Sequence, residues 1–165
     1  MHLVKHLRTG RVQDAEDGEL LALSYGNGKI VYCVVAKQVA PDNVLLVTFN
    51  DDAGSGPKFQ QYHRGNECVL LGKDWAFEIV APTDAFADSD KANDIGSICL
   101  EGDRATMRVG GGRSSFMINA GYVDVSDFSV CQPVRSWIVI RRWRVWRNIE
   151  DINDPLKRPL FEYAG

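Results

Sequence analysis

Apolar residues along this chain recur in short runs that end in Gly, Asn, Asp or Pro, the pattern of strands separated by tight turns. Gly18–Tyr25 is one such run, closed by Gly26-Asn27-Gly28, residue types that tolerate the positive φ of a hairpin turn. Lys29–Val39 follows, then the turn Ala40-Pro41-Asp42-Asn43, then Val44–Asn50. Runs joined this tightly predict an antiparallel meander. Ile30–Ala36 and Val44–Val47 are apolar at odd and even positions alike. Strands of that kind are covered on both faces, by a second sheet, a helix or another copy of the chain.

Asp51–Asn66 breaks the pattern. It holds Gly54, Gly56, Pro57 and Gly65 with little periodicity, and is expected as a long loop of the kind that often carries function. Strand runs resume at Glu67–Leu71 and Trp75–Val80. Pro82-Thr83-Asp84 is a helix-start signal, because Thr83 can cap and the acids after it suit the helix dipole; a short helix or an acidic loop is expected over Asp84–Asn93. Ser97–Leu100, Ala105–Val109, Ser114–Ile118 and Tyr122–Val125 are further short strands. Ser136–Arg147 is expected as one long strand, since its apolar positions form no helical stripe. Pro155 and Pro159 argue against regular structure in the tail, although Leu160, Phe161 and Tyr163 can dock there. Val and Ile number twenty-six against twelve Leu, which favours strands because branched side chains fit a pleated surface. The expected fold is mainly β, an antiparallel barrel or sandwich of about nine short strands with at most two short helices. Residues 1–150 form its single domain, and 151–165 a tail docked on the body or on a neighbouring subunit.

The length of 165 residues suits one domain with a buried core. The longest uninterrupted apolar run is seven residues, Ile30–Ala36, where a membrane-spanning helix needs roughly 20. The first residues carry positive charge but no apolar core of a signal peptide, so a cytoplasmic protein is expected. Cys33, Cys68, Cys99 and Cys131 show no metal-type spacing, and the first three sit in apolar runs, as core cysteines of a reducing compartment do.

Candidate chemistry is sparse. Gly110-Gly111-Gly112-Arg113 joins two strands and lacks the Lys-Ser/Thr of a phosphate-binding loop. Three histidines with scattered cysteines do not make up a metal set, and no cofactor is expected. His63 and Cys68 could meet, with Asp51 or Asp52 as a third member, but Cys68 begins the run Cys68-Val69-Leu70-Leu71, where burial makes a thiol inert. Asp84, Asp88, Asp90, Asp94, Glu101 and Asp103 form a stretch with Lys91 as its one interior base up to Asp103, expected as a solvated acidic face.

Arg135–Arg147 changes the picture. It holds five arginines, three of the four tryptophans and no acid. Residues 1–134 carry twelve bases against eighteen acids, whereas 135–165 carry seven against four. Strand alternation puts Trp137, Val139, Arg141, Trp143 and Val145 on one face and Ile138, Ile140, Arg142, Arg144 and Trp146 on the other. Trp and Arg are enriched at binding hot spots, and Arg also stacks on aromatic rings or pairs with acids inside a fold. An acidic overall balance disfavours nucleic acid, whose proteins are usually basic. The expected function is a non-catalytic interaction module, self-associating or bound to a protein partner. Tyr62, His63 and Arg64 of the loop and Arg142, Arg144 and Trp146 of the exposed strand face would hold that partner. A small anionic ligand is compatible with the same arginines. The alternative is a small-molecule site or enzyme with His63 moving the proton, and a second alternative is nucleic-acid binding through the Arg/Trp strand.

Overall fold

The computed structural model describes residues 8–24, 28–40, 43–50, 56–63, 65–80, 86–87, 89–112, 120–134 and 138–165. Among them the chain forms fifteen strands. They are β1 (Arg8–Arg11), β2 (Leu20–Ser24), β3 (Ile30–Ala40), β4 (Asn43–Thr48), β5 (Lys58–His63), β6 (Glu67–Gly72), β7 (Ala76–Ile79) and β8 (Phe86–Ala87). After these come β9 (Ile98–Glu101), β10 (Arg104–Val109), β11 (Gly121–Asp124), β12 (Val130–Cys131), β13 (Ile138–Ile140), β14 (Arg142–Trp146) and β15 (Phe161–Ala164). Helical structure among the described residues is confined to single 3-10 turns at Val12–Asp14, Ser89–Asn93 and Ile149–Asn153. No helix among them is long and apolar enough to cross a membrane.

The protein is mainly β, in three antiparallel sheets ordered β1-β6-β2-β3-β4-β5, β12-β11-β10-β9-β13-β8 and β15-β14-β7. Among the described residues no sheet closes on itself, so the barrel alternative is set aside. The meander expected over 18–50 is present as β2-β3-β4, with register shifts between Val35 and Lys37 and between Gln38 and Ala40. The sequence pattern falls short of the strand number mainly at the sheet margins. β1, β5, β8, β12 and β15, absent from the expected set, are all sheet edges. An edge strand has one neighbour and tolerates polar residues, so one or two apolar side chains, such as Phe59 of β5, tie it to the core without a full apolar alternation.

Two corrections follow from this. Asp51–Asn66 is not a featureless loop: Lys58–His63 pairs in unbroken register with β4, from Thr48↔Lys58 to Asn43↔His63. Its polar composition hides the strand because β4 supplies the pairing. The tail beyond Pro159 is likewise not irregular, since β15 pairs with β14 from Val145↔Phe161 to Arg142↔Ala164. Ser114–Ile118, Trp137 and Pro82–Asp84 lie outside the described residues.

Both faces of the first sheet are buried within one chain. Leu20, Val34, Val47 and Phe49 point into a central core that also takes Ile98, Met107 and Val123 from the second sheet and Trp143 and Val145 from the third. Leu21, Cys33, Val35, Val44, Leu46, Cys68 and Leu70 point the other way into a second cluster with Val12 and Ala15. The doubly apolar strands therefore need no second copy to cover them. Phe59 N–H donates to Gly110 O at 2.9 Å and Gly110 N–H to Pro57 O at 3.0 Å, lacing the first sheet to the second.

The run Ser136–Arg147 is not one strand. It breaks at Arg141, after which the chain changes sheets. Val139 accordingly packs with Cys99 and Val134, while Trp143 and Val145 enter the central core, although all three occupy odd positions. The break is held from outside the segment: Arg141 Nη1 lies 3.6 Å from Asp94 Oδ2, and Arg141 O accepts the Gly165 N–H at 3.0 Å. One link between the acidic stretch and the Arg segment is thus made within the chain.

Candidate binding groove

β14 alternates between core and surface. Trp143 and Val145 are fully buried, and Trp143 stacks on Tyr163 at 5.1 Å. Arg144 faces outward and stands opposite Glu78 of β7 on one side and Glu162 of β15 on the other. Its Nη1 is 3.7 Å from Glu78 Oε2, and its Nη2 donates to Glu162 Oε1 at 3.3 Å. Directly opposed strand positions bring such side chains within reach, so pairing register alone builds the Glu78–Arg144–Glu162 row. Trp146 Nε1–H donates to Glu78 Oε2 at 2.7 Å, so one carboxylate holds both the guanidinium and the indole.

The chain then makes the Ile149–Asn153 turn and returns beside β14, enclosing a groove of about 520 Å³ lined by Arg144, Trp146, Lys157, Arg158, Leu160 and Phe161 among others. Lys157 Nζ lies 3.8 Å from Asp151 Oδ1. Arg158 is exposed and has no ion-pair partner among the described residues. Two large apolar side chains of the same segment stand in solvent, Leu156 at 89% and Ile149 at 69% exposure. The groove therefore offers an aromatic floor, an arginine already engaged by Glu78 and Glu162, and the bases Lys157 and Arg158 on a rim that also carries Glu162. Groups of this kind grip carboxylates through charge-assisted hydrogen bonds.

The six expected binding residues divide. Arg144 and Trp146 line the groove, and half-buried Arg142 shares their face opposite Ala164. Trp146 is a correction in one respect: it is only 5% exposed, with its N–H satisfied by Glu78. It is floor, not a protruding anchor. Tyr62 sits on β5 against the second cluster, on the face of the first sheet turned away from the central core, and its hydroxyl donates to Gln60 Oε1 at 2.9 Å. His63 ends β5, and its side chain, like the whole of Arg64, lies outside the described residues. The structure does not bring Tyr62 to the groove. Lys157 and Arg158, which sequence reasoning missed, carried one signal: adjacent bases between two prolines.

Cys68 is buried, and burial first, then the carboxylates of Glu19 and Asp14, pushes its thiol up to about 11, against a smaller opposing pull from Arg8. A thiol held protonated is a poor nucleophile. Burial also raises Cys33 and Cys99. Among the described residues, no group of three His, Cys, Asp or Glu side chains is placed to hold a metal ion. The chain matches no family model, no curated protein and no solved structure.

Proposed function

We propose that this protein is an interaction module that self-associates by seating a carboxylate-bearing turn of one copy in the groove beside β14 of the next. The observation that carries this is the groove itself, where Lys157 and Arg158 join Arg144 and Trp146 around one cavity with exposed Leu156 nearby. The charge distribution favours a second copy as occupant: residues 1–134 hold eighteen acids against twelve bases, and 135–165 the reverse excess. The turn between β9 and β10 presents Glu101 and Asp103 in solvent, on a tight hairpin with Gly102 at φ +57°. The neighbouring Arg104 spends part of its field on Asp124.

Contact of a turn with a groove elsewhere on the molecule is heterologous, and it builds rings or open chains, not a two-fold dimer. Arg158 and Lys157 attract the incoming carboxylates, and Leu156 is covered as the copies close. Charge reversal tests this directly. Arg158→Glu and the pair Glu101→Lys with Asp103→Lys should each abolish association alone, and mixing the two proteins should restore it. Association unaffected by either change, or no rescue on mixing, contradicts the proposal.

A further inference from the structure

A second cavity, of about 480 Å³, opens where the three sheets meet. Its floor is aromatic. Trp75 precedes β7, Phe77 lies on it, and Phe128 reaches in from the turn between β11 and β12. The Trp75 and Phe128 ring centroids are 5.2 Å apart and tilted by 51°, and Phe77 and Phe128 are 5.5 Å apart at 69°. Phe128 is itself buried and backs the other two rings, so Trp75 and Phe77, both half-buried, supply the aromatic surface. Trp75 Nε1–H is tied to Gly18 O at 3.0 Å, which fixes the indole face.

The rim is acidic. Asp17 and Asp127 are exposed at the mouth, and neither has an ion-pair partner among the described residues. Lys73 is also on the rim, but its ammonium is engaged by Glu16 at 2.8 Å. Asp127 Oδ1 accepts the Ser129 N–H at 2.8 Å, which fixes that carboxylate on the rim. Aromatic faces carry negative quadrupoles, and rings beside exposed carboxylates attract a cation with an apolar shell more than a hydrated metal or a neutral molecule.

We propose that this cavity binds an organic cation of the quaternary-ammonium type, its methyl groups on the half-buried Trp75 and Phe77 and its charge answered by Asp17 and Asp127. The site is separate from the groove beside β14 and stands or falls independently of it. The probe is choline, titrated into the full chain while the Trp75 indole N–H resonance is followed by NMR, assigned with Trp75→Phe. Its uncharged isostere, with carbon in place of the ammonium nitrogen, is titrated in parallel.

Choline should shift that resonance saturably, and the isostere should bind about fivefold or more weakly, since only the cation meets the ring quadrupoles. Asp17→Asn together with Asp127→Asn should weaken choline about threefold or more while leaving thermal stability and the isostere unchanged, the scale expected for exposed charges. Both substitutions keep an acceptor oxygen in place, so the fold is not at risk. An unmoved Trp75 resonance, equal binding of choline and isostere, or undiminished choline binding by the double variant overturns the proposal.

Discussion

The indole N–H of Trp146 donates to the Glu78 carboxylate across 2.7 Å, joining positions 68 residues apart and fixing the floor of the groove to the arginine above it. Glu78 is shared, because its Oε2 also faces Arg144 at 3.7 Å. Glu78→Gln keeps an acceptor for the indole and loses only the charge. Glu78→Leu leaves the indole donor unsatisfied. Leaving a buried donor unpaired costs about 1–3 kcal/mol, so Glu78→Leu should lower urea stability by about 2 kcal/mol and Glu78→Gln by about half that. Equal stability of all three proteins would show that the bond is not needed.

Tyr163 occupies the space that a side chain at position 96 would require. Gly96 has φ +84°, and a Cβ there would run into the Tyr163 ring. The same glycine's carbonyl accepts the Trp143 indole N–H at 2.9 Å, and Tyr163 Oη–H donates to Ile95 O at 2.6 Å. Gly96→Ala meets both a disfavoured backbone and an occupied site, and should destabilise by about 2–4 kcal/mol in denaturant unfolding. Tyr163→Phe loses one hydrogen bond and should cost about 1 kcal/mol.

The cysteines should react in the order of their burial. Cys33, Cys68 and Cys99 are buried, and Cys131 is half-buried. A thiol reagent at neutral pH should label Cys131 first, with the other three reacting only as the protein unfolds. Cys68 also makes stability depend on alkaline pH. Its folded value, about 11, stands above the ordinary 9.0, so the unfolded chain gives up this proton first. The contribution is complete below pH 9.0 and is lost as pH rises from there through about 11. Cys68→Ala should flatten that part of the pH–stability curve.

At the acid end, the turn holding Phe128 supplies the sensitive group. The Asp124 carboxylate accepts the Ser126 hydroxyl at 2.6 Å and its N–H at 2.9 Å, and these bonds hold its pKa below the ordinary 3.8. Its stabilisation is present above pH 3.8 and is lost as pH falls through the depressed folded value. Ser126→Ala removes the hydroxyl bond, the shorter of the two, so its stability deficit should be visible at neutral pH and shrink on acidification. A deficit constant with pH would contradict that origin.

The sequence made the interior of the sheets legible and their margins illegible. β2, β3 and β4 could be read because Leu21, Cys33 and Leu46 face one cluster while Leu20, Val34 and Val47 face another, leaving an apolar run no other use. Lys58–His63 could not, because only β4 makes it a strand. Alternation runs straight through Arg141, and the contacts made at the break there, with Asp94 forty-seven positions back and with Gly165, are not encoded in the segment itself. For the groove, the concentration of Arg and Trp pointed to Arg144 and Trp146. The burial of Trp146 and the approach of Lys157 and Arg158 depend on cross-strand register, which composition does not encode.

The most direct measurement of the central claim is the mass of the untagged protein by size exclusion with light scattering, at low and at high salt. Self-association through the groove predicts a mass at low salt of at least twice 18.4 kDa that falls toward 18.4 kDa as salt screens Lys157 and Arg158 from Glu101 and Asp103. A mass of 18.4 kDa at every salt concentration, or an oligomer that salt and Arg158→Glu leave intact, would contradict it.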